Sequence, residues 1–296
     1  MANELREVGA QDGRVLGVAE WGDPAGRPVL ALHGTPGSRL NRPPDEAALR
    51  KAELRLVTYD RPGYGASDRQ PNRRVVDCVP DVEAVSDALG IGQFVVSGVS
   101  GGGPHALAVA ALLGDRVVTA ECSVGPAPVA AFGGQWTAGM DDENVREFAW
   151  ALQGEQTLHR ELSRQAEADL ARMAADPSKV FSEDWQFEEA DRAVLARTDV
   201  QQMLGEAWQE AFRNGVWGWV DDDLAVLGLW GFELSQISTP VVVRYGEQDV
   251  MVPAAHGRWL AANVPNATVL VTQQAGHMKE PQTRIRELAD LAASLL

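Results

Sequence analysis

The stretch "IGQFVVSGVSGGGPHALAVAALLG", Ile91 to Gly114, decides how this chain folds. A Val-rich apolar run opens it, a knot of small residues follows, and an Ala/Leu stretch of helical character closes it. Gly98, Gly101, Gly102 and Gly103 surround one serine, Ser100, where strand gives way to helix. Glycine at that density costs chain entropy, so the backbone must need it. Gly98-Val99-Ser100-Gly101-Gly102 satisfies G-x-S-x-G in the strand–turn–helix context that gives the motif meaning. Such a turn strains the serine's backbone and projects its hydroxyl from the sheet edge, and the glycines make room for it. Ser97 falls at the strand's end, outside that register. No G-x-x-x-x-G-K-S/T string is present to suggest a phosphate loop instead.

Outward from this stretch, short Val/Leu-rich runs alternate with helical segments, the pattern of a mostly parallel sheet covered on both faces. Strands are predicted at Arg14–Glu20, Val29–His33, Leu54–Tyr59, Phe94–Ser97, Val117–Ser123, Val241–Tyr245 and Thr268–Thr272. Helices are predicted at Asp45–Ala52, Val75–Leu89, Gly103–Leu113, His256–Asn263 and Gln282–Leu295. The alternation breaks after Ser123. "GPAPVAAFGGQW" is a Pro/Gly-rich exit, and from Asp141 to about Trp230 the pattern is helical. An all-helical insertion between two strands reads as a lid, which divides the chain into a core of residues 1–125 and 234–296 and a lid of residues 126–233. Seven of the nine tryptophans lie in that insertion: Trp136, Trp150, Trp185, Trp208, Trp217, Trp219 and Trp230. Some belong to its core, and others suit the wall of an apolar pocket.

A serine hydroxyl needs a base, and the base needs an orienting group. His277, in "QQAGHMKEP" just after the last predicted strand, can reach over the sheet's C-terminal edge. His256 opens a helix, His159 is in the insertion, His105 follows the elbow, and His33 belongs to another loop. Asp249, in "VVVRYGEQDVMVP" after a strand, can hold the imidazole's far nitrogen; its rivals are Glu247 and Glu280. The loop after Val117–Ser123 offers no acid before Gly125-Pro126. A tetrahedral oxyanion needs two convergent N–H donors. Gly101 supplies one, and Thr35 in "LHGTPGSR" (Leu32 to Arg39) is the best second. His33 fits a brace for this loop better than a base.

"LHGTPGSR", "YDRPGYGASD", "SGVSGGG", "YGEQDVMVP" and "AGHMKEP", in that order, resemble the lidded α/β-hydrolase superfamily across nearly the whole chain. The resemblance implies a mostly parallel eight-stranded sheet with helices on both faces and a helical lid. It implies Ser100 as nucleophile, Asp249 as acid, His277 as base, and Thr35 and Gly101 as oxyanion donors. It gives "YDRPGYGAS" a chiefly structural role, which leaves Asp60 and Arg61 outside the site. A serine at the elbow, where dehalogenases and epoxide hydrolases of this fold carry aspartate, supports acyl chemistry. The leading expectation is a carboxylesterase acting on a small to medium hydrophobic substrate. A proline iminopeptidase-like aminopeptidase is the alternative, since "HGTPG" resembles that group's "HGGPG", although the elbow and Thr35 depart from its pattern. A carbon–carbon bond hydrolase, another variant of the fold, or a non-catalytic binding protein remains open.

Composition bounds these readings. At 296 residues with 45% hydrophobic content the chain can bury a sizeable core. The net charge of −16 is uneven: Asp141–Glu233 carries 21 acidic against 8 basic residues. An acidic surface disfavours nucleic acid and anionic membranes and can steer a cation. The charged start "MANELREVGA" lacks an apolar leader, and no run approaches the roughly 18 to 20 residues of a spanning helix. Cys78 and Cys122 suggest neither a disulfide framework nor a metal cluster. The expectation is therefore a cytoplasmic enzyme, monomeric or homo-oligomeric, acting on a small molecule with no metal or organic cofactor.

Overall fold

The computed structural model describes residues 5–295. Met1–Glu4, the first four residues of the charged start "MANELREVGA", and Leu296 lie outside the described residues. Eight strands form one sheet: β1 (Arg6–Gly9), β2 (Val15–Gly22), β3 (Arg27–Leu32), β4 (Leu54–Tyr59), β5 (Phe94–Val99), β6 (Val117–Ser123), β7 (Val241–Gly246) and β8 (Ala267–Thr272). Their order is β1-β2-β4-β3-β5-β6-β7-β8. β2 runs antiparallel to both β1 and β4, and every other pair is parallel. Seven strands are legible as apolar runs. β1 is not, because three of its four residues are exposed at the sheet's edge and carry no burial pattern.

Ten α-helices accompany the sheet among the described residues: α1 (Glu46–Lys51), α2 (Val79–Ala88), α3 (Gly102–Leu112), α4 (Asp142–Leu152), α5 (Glu155–Ala175), α6 (Glu189–Leu195), α7 (Thr198–Ala211), α8 (Trp217–Leu227), α9 (Ala254–Asn263) and α10 (Pro281–Ala292). The helix expected over Val75–Leu89 is two elements, a 3₁₀ turn at Val75–Cys78 and then α2. Pro80 sits in the first turn of α2, where its missing N–H costs nothing, and so marks a helix start.

Alternate residues of the inner strands feed two cores, as the two-residue period of a strand requires. Leu30, Leu32, Val57, Tyr59, Phe94 and Val96 pack with α2, α3 and α9 on one face. Val29, Leu54, Leu56 and Val95 pack on the other face with Leu49 of α1 and Ile285, Leu288 and Leu291 of α10. α3 is buried from Gly102 to Ala110, and its Ala/Gly composition lets it lie close on the strands. Each fully buried Leu or Val contributes about 1.5–3 kcal/mol through apolar surface removed from water.

Between β6 and β7 the chain runs through α4 to α8, of which α4, α5, α7 and α8 share an apolar core that includes Leu158, Leu162, Trp208, Phe212, Trp219 and Val220. Tyr64, from the loop after β4, packs into that core. Among the described residues no helix is long and apolar enough to cross a membrane.

Candidate active site

β3 pairs with β4 on one side and β5 on the other, so the loops leaving β3 and β5 diverge and open a crevice at the strands' C-terminal ends. Ser100 leaves β5 there with φ of 54°, the left-handed region that a non-glycine residue seldom occupies. Its N–H donates to the Ser123 carbonyl at 2.9 Å, and its carbonyl accepts from the Gly103 N–H at 2.8 Å, so β6 and α3 hold the bend. A Cβ at Gly98 would run into the Gly102 carbonyl, and one at Gly101 would run into the Thr35 hydroxyl. The glycines therefore do what their density suggests. Ser97 is instead buried in the sheet, donating to Glu121 Oε2 at 2.7 Å.

His277 follows β8. Its Nδ1–H donates to Asp249 Oδ2 at 2.8 Å, leaving Nε2 as the ring's free lone pair. The other Asp249 oxygen accepts the N–H groups of Met251 and Val252 at 2.9 and 2.8 Å, which fixes the carboxylate. Burial pulls the His277 pKa down, but the charge and hydrogen bond of Asp249 outweigh it, with Asp191 assisting. The net result is a pKa above the usual value for histidine. The rivals for the acid stand elsewhere: Glu247 pairs with Arg258 at 2.5 Å, and Glu280 caps α10.

The loop after β3 is braced from beneath. His33 Nδ1–H donates to the Gly34 carbonyl at 2.7 Å while its Nε2 accepts the Arg61 N–H at 3.2 Å. Thr35 Oγ1 donates to Asp222 Oδ2 at 2.8 Å. Asp222, on α8, also takes Arg61 Nη2 at 2.6 Å, Arg73 Nη1 at 2.7 Å and the Tyr64 hydroxyl at 3.0 Å. Burial would raise the Asp222 carboxyl, but the Arg61 and Arg73 guanidiniums hold it well below the usual range. Arg61 thus belongs to the support of the loop rather than to the surface that substrate would meet.

Ser100, Thr35 and His277 line one cavity of about 430 Å³, together with Glu147, Trp150, Trp185, Trp208 and Trp219 from the α4–α8 segment. A second cavity of about 190 Å³ shares Gly34, Val99, Leu204 and His277 with the first and is walled by Leu32, Leu56, Val200 and Met203. A small recess holds Thr35, Ser100 and Gly101 beside Glu147 and Asp223. The five residues read from the sequence therefore gather at one place, Asp249 behind His277. The other histidines do not. His105 is buried with Nδ1–H on the Gly101 carbonyl, and burial with the nearby Arg61 charge lowers its pKa to about 3. His256 is held between Ala127 and Trp136, and His159 lies against Trp217.

Two features of the site escape a reading by motif. Glu147 accepts from Trp219 Nε1 at 3.0 Å, and burial raises its pKa to about 7. Burial and the neighbouring Glu147 charge push Asp223 well above the usual carboxyl range, and among the described residues its Oδ2 has no hydrogen-bond partner. The second feature is Asp191 on α6, whose carboxylate meets the His277 loop. One signal was available: three consecutive acids, Asp221 to Asp223, interrupt the otherwise apolar "WGWVDDDLAVL". Among the described residues no group of three His, Cys, Asp or Glu side chains is arranged to hold a metal ion.

Residues 27–279 match the family described as alpha/beta hydrolase fold. The chain belongs to that family. As an α/β hydrolase it is similar to the pimeloyl-(acyl-carrier protein) methyl ester esterase of Nitrosomonas europaea, 28% identical over 76% of this chain and 78% of that one. It is also similar to the proline iminopeptidase of Xylella fastidiosa, 36% identical but over only 33% of this chain and 32% of that protein. Among solved structures, an alpha/beta hydrolase fold protein from Nakamurella multipartita superposes with a TM-score of 0.69. That pair covers 99% of this chain and 100% of the other at 23% identity, a likeness of fold.

Proposed function

We propose that this α/β hydrolase cleaves a carboxylic ester of a small to medium hydrophobic substrate through an acyl-enzyme on Ser100. The observation that carries the reading is the meeting of Ser100 with the Asp249-paired His277 on one tryptophan-walled cavity. Ser100 Oγ attacks the carbonyl carbon while His277 Nε2 takes its proton, and Asp249 stabilises the resulting imidazolium. The N–H groups of Thr35 and Gly101 receive the oxyanion. His277 returns the proton to the leaving alcohol as the C–O bond breaks. Water then attacks the acyl-enzyme by the same route, releasing the acid and restoring Ser100. In this reading residues 126–233 act as the lid, and the apolar 190 Å³ cavity beside His277 takes one aliphatic arm of the ester.

The test is hydrolysis of nitrophenyl esters of increasing acyl length, with fluorophosphonate labelling alongside. Turnover and labelling in the wild type, both lost in Ser100→Ala, support the reading. Absence of both from the wild type overturns it.

One observation favours a second reading, an aminopeptidase. Glu147 and Asp223 bring carboxyl groups to the recess beside Ser100, and among the described residues Asp223 Oδ2 has no partner. Such a pair suits the ammonium end of a peptide. Release of nitroaniline from proline nitroanilide at a rate above that from the esters would select this reading.

A further inference from the structure

Asp191 is fully buried, and it is not one of the catalytic residues assigned above. It sits on α6, in the helical segment, and its two oxygens accept backbone N–H groups from the loop that carries His277. Oδ2 takes the N–H of His277 at 2.8 Å, and Oδ1 takes that of Met278 at 2.8 Å. The fit is close from the loop's side as well, since a Cβ at Gly276 would run into Asp191 Oδ2. Two residues beyond α6, at the N-cap of α7, Arg197 faces Glu280, three residues past the histidine, at 3.6 Å. The α6–α7 stretch thus grips this loop at two points, one buried on α6 and one near the surface where α7 begins.

We propose that Asp191 is a positioning residue for His277, a clamp through which the seating of the helical segment on the core sets the geometry of the base. This rests on the reading of His277 as the base. A carboxylate is the side chain for the task, because both its oxygens accept and two adjacent N–H groups can be held at once. The consequence is functional coupling: a substrate that shifts α6 also shifts the imbalance between a well-aimed and a misaimed imidazole. Misplacing a catalytic group by about 1 Å costs on the order of 10²-fold in rate.

The clamp also acts on charge. The ionisable groups facing His277 are Asp249 from the loop after β7, Asp191 from α6, and Lys279 from its own loop. Asp191 favours the imidazolium, so removing its charge lowers the pKa of His277. Since the base works when neutral, the acid limb of kcat/KM then moves to lower pH.

The experiment compares wild type with Asp191→Asn and with Gly276→Ala, which forces the clamp apart while leaving the carboxylate in place. Nitrophenyl ester kinetics are measured as a function of pH, with fluorophosphonate labelling rates and melting temperatures alongside. The expected result is a fall in kcat of about 10²-fold in both variants with KM within about twofold, and an acid limb displaced to lower pH in Asp191→Asn. A variant that is unstable but keeps the wild-type acid limb and kcat overturns the proposal, because it assigns Asp191 to stability alone. If Asp191→Asn does not fold, Gly276→Ala decides by its kcat. A wild type that neither turns over nor labels overturns the assignment of the base and the clamp with it; an active wild type with unaltered variants overturns the clamp alone.

Discussion

Thr35 Oγ1 donates to Asp222 Oδ2 at 2.8 Å, tying the loop after β3 to α8 across 187 residues of sequence. Asp222 is at the same time the counter-charge for two buried arginines, Arg61 and Arg73. One carboxylate therefore joins the core, the helical segment and the candidate oxyanion loop.

Asp222→Ala leaves both guanidiniums buried on backbone carbonyls without a counter-charge and is expected to cost about 3–5 kcal/mol of stability. The urea midpoint falls while the slope of the transition holds, which equilibrium denaturation will show. The folded carboxyl titrates well below its unfolded value. Its contribution is therefore complete above the unfolded pKa of about 3.9 and is lost as pH falls toward the folded one.

Ser100 holds a φ of 54°, a conformation in which a Cβ is strained by about 1–2 kcal/mol. Ser100→Ala and Ser100→Gly are both expected to lose on the order of 10⁶-fold in kcat, since each removes the hydroxyl. Their stabilities differ. Glycine relieves the strain that alanine keeps, and this outweighs its larger entropy loss of about 0.4–1 kcal/mol. Ser100→Gly should therefore melt at or above the temperature of Ser100→Ala, as calorimetry will decide.

His277 carries a pKa above the ordinary histidine value, because Asp249 and Asp191 outweigh the effect of burial. Acting as the proposed base, it gives a kcat/KM that is expected to fall on the acid side with an apparent pKa above about 6.5. In Asp249→Asn the amide no longer holds the Nδ1–H tautomer, and kcat is expected to drop by about 10⁴-fold. A pH–rate profile for the wild type and one rate constant for the variant check both statements.

Glu147 titrates at about 7 in the folded chain against 4.5 ordinarily, through burial. A carboxyl raised in this way costs nothing below its unfolded pKa. The cost grows as pH rises toward 7 and is constant beyond. Glu147→Gln keeps an acceptor for Trp219 Nε1 and removes the charge, so it is expected to stabilise the protein by on the order of 2 kcal/mol at pH 8. At pH 4 it should change little. Thermal melts at the two pH values separate this outcome from a simple loss of packing.

What the chain's own order determined is local. The elbow is a run of five residues whose glycines, strand and helix are contiguous, so Ser100 was legible with its geometry. His277 and Asp249 each sit in a short loop directly after a strand, where position alone aims a side chain at the sheet's C-terminal edge. Seven strands announced themselves through apolar runs; β1 did not, because an exposed edge imposes no such pattern.

What the tertiary structure decided is which distant groups meet. Asp191 and His277 lie 86 residues apart, and Glu147 and Asp223 come from different helices. The acidic excess of residues 141–233 looked like solvated surface, yet Asp191, Asp222 and Asp223 from it are buried. The periodicity of a helix records which face is apolar and leaves its partner unspecified. A buried carboxylate is defined by the donors brought against it, and those belong to loops that only the packing of the helical segment on the sheet brings within reach.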